Sequence, residues 1–225
     1  HISDIAYPQG SSYTILKVSS AGVVTWSGKL ADGTGITAGG TLGADGEVPW
    51  HQMLYTNRGS VQGWTRVQAG RHADLDGITW LKNNIATPTR SYKPGFPTIL
   101  NLDLDGSLYD PKTVVFNLLG LGTGNDNAIL TFTEANLPPV VTQTFRIDTP
   151  SLVKLPVPNT QKLALTITAS TGVIKGSITP TGAGRKADFE GVLVPHRADG
   201  GGYFLLPEST LTTSAILSGK MILQG

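Results

Sequence analysis

The chain has 225 residues, room for one large all-β domain or two small ones, and no cysteine, which removes disulfides, thiol catalysis and cysteine-ligated zinc. Its 17 Lys+Arg against 16 Asp+Glu leave a net charge of +1, with only 15% of residues charged, and no basic stripe argues for nucleic acid as a partner. No apolar run of about 18 residues offers a membrane helix, and 28 Gly with 14 Pro describe a turn-rich chain of short strands.

Residues 1–12 read as a linker or entry strand, and the start at His1 without an apolar leader suggests a processed product or an excised domain. Residues 13–19 and 23–30 alternate apolar and polar side chains with period two, the mark of half-buried strands. In the second, Val24, Trp26 and Leu30 share a face, so Trp26 is expected in the core. Ala31 to Gly35 and Gly43 to Gly46 contain Asp-Gly pairs and read as turns. Residues 47–55, 61–67 and 75–82 continue the series. PTRSYKPGFP at 88–97 is an irregular loop, and the alternating segment 100–106 is a strand entering a turn. VVFNLLGLG (114–122), AILTFT (128–133) and TQTFRID (142–148) read as strands, the first two apolar. Ala135 to Pro139 breaks the series, Pro150 to Pro158 is a Pro-punctuated crossing, and SAILSGKMILQ (214–224) is the last strand. No amphipathic helix is expected, because Gly interrupts nearly every window.

One pattern occurs twice. TILKVSSAGVVTWSGKL (14–30) and LALTITASTGVIKGSI (163–178) are each an alternating strand, a small-residue turn ending in Gly, and a second alternating strand. Val18 to Val23 aligns with Thr168 to Val173 at one offset, which pairs Trp26 with Gly176. A further echo sets Ala44-Asp45-Gly46 before EVPWHQML against Ala198-Asp199-Gly200 before GGYFLL. The fold expected is all-β and antiparallel: two related meanders forming one barrel or sandwich-like domain over 1–225, without significant helix. The first meander spans 13–82, connecting strands and loops 83–161, and the second meander 162–225.

The phrases SYTILKVSSAGVVTWSGKLADGT, LGADGEVPWHQMLYTNRGSVQGW, LDGITWLK, SYKPGFP and GYFLLPES followed by LSGKMIL, in that order, cover about residues 7–224. Together they resemble the β-rich C-terminal segments of very large secreted or surface proteins of Verrucomicrobia and Planctomycetes. The resemblance implies an extracellular, modular setting, outside the catalytic part of a parent protein, and brings no catalytic motif.

The residues offer little chemistry of their own. Asn101, Asp103, Asp105 and Gly106 are spaced like a calcium loop, but the intervening Leu100, Leu102 and Leu104 indicate a strand along which carboxylates do not converge. His72 and Asp74 share a side if extended, yet His51 and His196 stand apart from them, so no metal site is assigned. No G-x-S-x-G elbow is present. The Gly-rich run 120–125 precedes neither a helix nor a Lys, so it reads as a turn and not a phosphate cradle. Lys186, Asp188 and Glu190 share a strand face, and so do Glu47 and His51. Solvated charge is the ordinary reading of such faces, and paired carboxylates for glycoside hydrolysis the sharper one.

Trp64 is the informative aromatic, sharing a face with Gln62 and Arg66. With Tyr92 from the 88–97 loop as a wall, these residues make a candidate sugar-stacking site; otherwise Trp64 covers a neighbouring strand. The function expected is a non-catalytic module of a secreted or cell-surface protein, acting in adhesion or neutral-glycan contact, without a cofactor. Its partners are then a neutral polysaccharide or neighbouring domains of the same protein. A structural subunit that self-associates by edge-strand addition through 1–12 or 214–224 is one alternative. A carbohydrate-active enzyme using strand-face carboxylates is another, and a porin-like barrel is set aside because aromatics are only 7%.

Overall fold

The structure, a computed structural model, describes residues 4–67, 73–85, 89–137 and 140–225. It is antiparallel β throughout, apart from short helical turns and an isolated parallel bridge between Ser91 and Ile216. The first half runs β1 (Tyr13–Val18), β2 (Val23–Lys29), β3 (Gly35–Thr41), β4 (Glu47–Leu54), β5 (Gly59–Arg66), β6 (Ala73–Lys82) and β7 (Leu100–Gly106), the last from the section read as connecting. Hydrogen bonding divides it into a three-stranded sheet, β1-β2-β3, and a four-stranded sheet, β4-β5-β6-β7. Between the two sheets the Gln52 side chain accepts a hydrogen bond from the Thr37 N–H at 2.9 Å. The two sheets share one core, built on Val24, Trp26, Ile36, Trp50, Val61, Ile78 and Trp80. Trp26 and Trp50 stack in it with ring centroids 4.7 Å apart.

The rest of the chain forms β8 (Ala128–Glu134), β9 (Val141–Asp148), β10 (Leu152–Lys154), β11 (Ala164–Thr168), β12 (Val173–Ile178), β13 (Ala187–Val194), β14 (Asp199–Pro207) and β15 (Ile216–Gln224). These make a nearly closed, barrel-like eight-stranded sheet in the order β10-β9-β8-β15-β14-β13-β12-β11. Its core holds Phe132, Phe145, Ile174, Phe189, Phe204 and Met221, with Phe132 meeting Phe189 and Phe204 edge to face. Strands β8 to β10, from the section read as connecting, complete this sheet beside the last strand.

The repeat is visible in backbone detail. Gly22 and Gly172 end the β1–β2 and β11–β12 turns with φ of 75° and 72°, the region glycine enters without strain. Each carbonyl then receives the N–H of a leucine on the third strand's end, Leu42 or Leu193, at 2.8 Å in both. The Ala-Asp-Gly echoes both lie at the entry to the fourth strand, β4 or β14. The single offset needs one correction. Ser19 bonds back to Val23, leaving Ser20, Ala21 and Gly22 in the turn. Thr168 pairs with Val173, so the second turn also holds Ala169 and is one residue longer. On the strand before the turn, the partner of Val18 is therefore Ile167, not Thr168.

One reading of the secondary structure is overturned, and one strand went unread. Val114 to Gly122 is not a strand: Val115–Leu118 is one helical turn, α1. Val115, Leu119 and Leu121 are buried in the second core, and the Ser151 hydroxyl accepts the Val115 N–H at 3.1 Å. An apolar run without a free strand edge satisfies its backbone locally. Strand β3 was not anticipated, because its sequence GITAGGT has too few side chains to show a period. The 100–106 segment is an extended strand, as read.

The halves meet on the outer face of β14. Tyr13, Ala31 and Tyr203 form a small buried cluster there. The segment before β1 crosses the same face, with Gln9 N–H on Ser218 O and Ser11 N–H on Gly202 O. Strand β15 is paired on both sides, by β14 and β8, so the sheet's edges are β10 and β11 and not the terminal strand.

Candidate functional site

Strand β5 points Val61 and Thr65 into the core and Gln62, Trp64 and Arg66 outward. The Trp64 indole is 59% exposed. Strand β4 extends the same face, with Pro49 opposite Trp64, His51 opposite Gln62 and Glu47 opposite Arg66. Arg66 donates to Glu47 at 2.6 Å, so its charge is balanced within the face. Gly63 lets β5 pass close to β6: a Cβ there would lie 2.6 Å from the Gly77 carbonyl oxygen. The β6–β7 register shifts between Leu75 and Ile78, and such bulges bend a strand and re-aim its side chains. The result is a bare aromatic plane flanked by an amide, an imidazole and a neutralised ion pair.

Of the expected site residues, Trp64, Gln62 and Arg66 share this surface, and Tyr92 does not. Tyr92 is 8% exposed and packs on the opposite side of the sheet, in the core with Phe96. Its hydroxyl accepts the Ser218 N–H at 2.9 Å. Burial and the charge of Asp32 push its ionisation up, although the Ser218 bond opposes them. Residues 89–97 turn Tyr92 and Phe96 inward to cover the core and do not wall Trp64.

A second place gathers polar groups. Where the β2–β3 turn meets β12, β13 and β14, an open cleft of about 380 Å³ is lined by Lys29, Lys175, Asp188, Glu190 and Tyr203. Glu190 accepts from Lys29 at 2.5 Å and from the Tyr13 hydroxyl at 2.8 Å, with Lys175 at 3.4 Å. Burial opposes its ionisation, but the Lys29 and Tyr13 bonds and the two lysine charges outweigh burial and hold it below the usual carboxylate range. Asp188 is paired with Lys186 at 2.8 Å.

Asn101, Asp103 and Asp105 lie along β7, and Asp105 meets Arg197 at 2.7 Å and His196 at 3.2 Å. His51 is exposed. His72 lies outside the described residues.

Sequence reasoning missed a buried network. Asp32, in the β2–β3 turn, and Lys82, at the end of β6, are paired at 2.7 Å with both side chains almost fully out of water. Tyr55 and Trp80 complete the network. The signal was present: Lys82 follows Ile78 and Trp80 in the inward phase of β6. In comparison with known proteins, no family model, curated protein or solved structure matches the chain.

Proposed function

We propose that this chain is a non-catalytic module of a secreted or cell-surface protein, and that its outer β4–β5 face contacts neutral polysaccharide. The observation that supports this reading is the exposed Trp64 ring among Gln62, His51 and the Arg66–Glu47 pair. A sugar ring has C–H faces that stack on an indole and hydroxyls that need donors and acceptors beside it. The phrases that resemble segments of large secreted proteins support the extracellular setting.

The enzymatic alternative draws less support. Glycoside hydrolysis needs one carboxyl group held protonated near neutral pH. In the cleft Glu190 is shifted the opposite way, and Asp188 is tied to Lys186. Edge-strand assembly loses the terminal strand as its donor, since β15 has partners on both sides. Titration calorimetry or affinity electrophoresis against neutral and acidic glycans, with Trp64→Ala as control, tests the proposal. Binding to a neutral glycan that Trp64→Ala abolishes is the expected result; binding that survives the substitution removes this face from the function.

A further inference from the structure

The Asp32–Lys82 pair is an expensive feature to keep. The side chains are 0% and 2% exposed, and a buried ion pair seldom stabilises a fold more than apolar residues of the same volume. The pair is also arranged in an unusual way. The Lys82 Nζ lies 2.7 Å from Asp32 Oδ2 and donates to the Ser91 carbonyl at 2.9 Å. It sits over the Tyr55 ring, 4.3 Å from the centroid, with the Tyr92 and Phe96 rings each at 5.9 Å. Asp32 Oδ2 also accepts the Tyr55 hydroxyl at 2.8 Å, and Oδ1 accepts the Thr34 N–H at 3.0 Å. The Trp80 Nε1–H donates to the Tyr55 oxygen at 3.0 Å and opposes in part the burial and the Asp32 charge that push the phenol's ionisation up.

We propose that Lys82 and Asp32 condense to an intramolecular isopeptide bond. In water an amine and a carboxylic acid do not join, because both ionise. The step begins when one proton passes along the 2.7 Å Nζ–Oδ2 hydrogen bond, so that a neutral amine meets a neutral acid. The Nζ lone pair then attacks Asp32 Cγ. The negative charge that develops on Oδ1 faces the Thr34 N–H, a donor fixed in advance. Tyr55 gives its proton to Oδ2 and regains one from Nζ, the Cγ–Oδ2 bond breaks, and Oδ2 leaves as water. Both hydrogens that Lys82 loses leave in that water, and no further reactant is needed.

The two groups are held for the step. Lys82 is fixed in β6 opposite Gly59. The Asp32 turn is pressed on β14, where a Cβ at Gly33 would lie 2.8 Å from Leu205. Such positioning replaces the entropy loss of a bimolecular encounter. The bond would add a covalent cross-link between the three-stranded sheet and the four-stranded one, whose backbone connection is otherwise residues 42–46. It is independent of the glycan reading.

The test is mass spectrometry of the full 225-residue chain after folding and incubation near neutral pH. The expected intact mass falls below the sequence mass by one water molecule. The tryptic map is expected to show peptide 30–58 joined to peptide 72–90 with Lys82 uncleaved. Lys82→Arg is expected at full mass. Tyr55→Phe, folded by circular dichroism, is expected to form the bond about a hundredfold more slowly, the scale of a lost proton donor. Full mass in the folded wild-type chain overturns the proposal. So does a water loss confined to peptide 30–58, which marks cyclisation at one of its two Asp-Gly pairs, Asp32-Gly33 or Asp45-Gly46, instead. An unslowed Tyr55→Phe overturns the proton transfer assigned to Tyr55.

Discussion

Trp26 and Phe189 fill the same position of the repeat from opposite strands. Trp26 on β2 faces Ala38 on β3, and at the equivalent pair Gly176 on β12 faces Phe189 on β13. The volume is kept while its owner changes strand, as close packing requires. Trp26→Ala should therefore cost about 3–5 kcal/mol by denaturant unfolding, an aromatic cavity beside the Trp50 ring. Gly176→Ala should be destabilising too, by about 1–3 kcal/mol, because a Cβ there would lie 2.1 Å from the Ala164 carbonyl oxygen and 2.4 Å from the Phe189 ring. The sharper expectation concerns the pair: Trp26→Gly with Ala38→Phe should be more stable than Trp26→Gly alone. Simple additivity of the two changes would show that the cross-strand exchange is not a packing equivalence.

Tyr92 yields the next prediction because its expected and observed roles differ. Its hydroxyl accepts the N–H of Ser218, a residue that is fully buried. Tyr92→Phe keeps the ring and strands that donor, so unfolding free energy should fall by about 1–3 kcal/mol. Glycan affinity should not change. A loss of affinity at unchanged stability would return Tyr92 to the binding site.

These residues show what a single sequence conveys. Alternation over 23–30 was enough to bury Trp26, and alternation over 61–67 to set Trp64 on one face with Gln62 and Arg66, since a strand's period fixes side-chain direction. It conveyed the turn glycines and the two meanders for the same reason. Long-range closure was not legible. Nothing local to the 88–97 loop distinguishes an aromatic that covers a core from one that lines a site, and Ser218 is far from Tyr92 in the chain. Asp32 looked like an ordinary turn residue, and Lys82 broke the apolar phase of β6 without a visible partner. Only the approach of the β2–β3 turn to the end of β6 explains both.

The Glu190 cleft predicts a pH dependence. Its carboxyl group is held below the ordinary value of 4.5, so the folded state binds its proton less well than the unfolded chain. Glu190 therefore contributes stability that is fully present above 4.5 and is lost as pH falls from there through the lower folded value. Wild type should exceed Glu190→Gln in stability at pH 7, and the difference should shrink on acidification below that value. Urea unfolding of both proteins at stepped pH measures it; a difference that grows toward acid would contradict the Lys29–Tyr13–Glu190 assignment.

Chelation should leave the melting temperature unchanged. Calcium takes six to eight oxygens at a curled loop. Asp103 is exposed on an extended strand, and Asp105 is already engaged by Arg197 and His196. A calcium-dependent rise in melting temperature that Asp103→Ala abolishes would establish a metal site after all.

The Trp64 face separates binding from stability. An exposed indole supports little of the fold, so Trp64→Ala should change unfolding free energy by about 0.5 kcal/mol or less. Neutral-glycan affinity should nevertheless be lost, because the stacking plane is gone. Arg66 behaves differently. Its guanidinium is committed to Glu47, and an exposed pair of this kind is worth about 0–1 kcal/mol. Since the pair is balanced, no field collects an anion, and affinity for a neutral glycan should hardly vary between low and high salt. Glu47→Gln releases the Arg66 charge. That variant should gain weak, salt-sensitive binding to acidic glycans while keeping its neutral one. Wild-type binding that already falls steeply with salt would mean the face recognises a polyanion, and that Arg66 is drawn away from Glu47 when the ligand is bound.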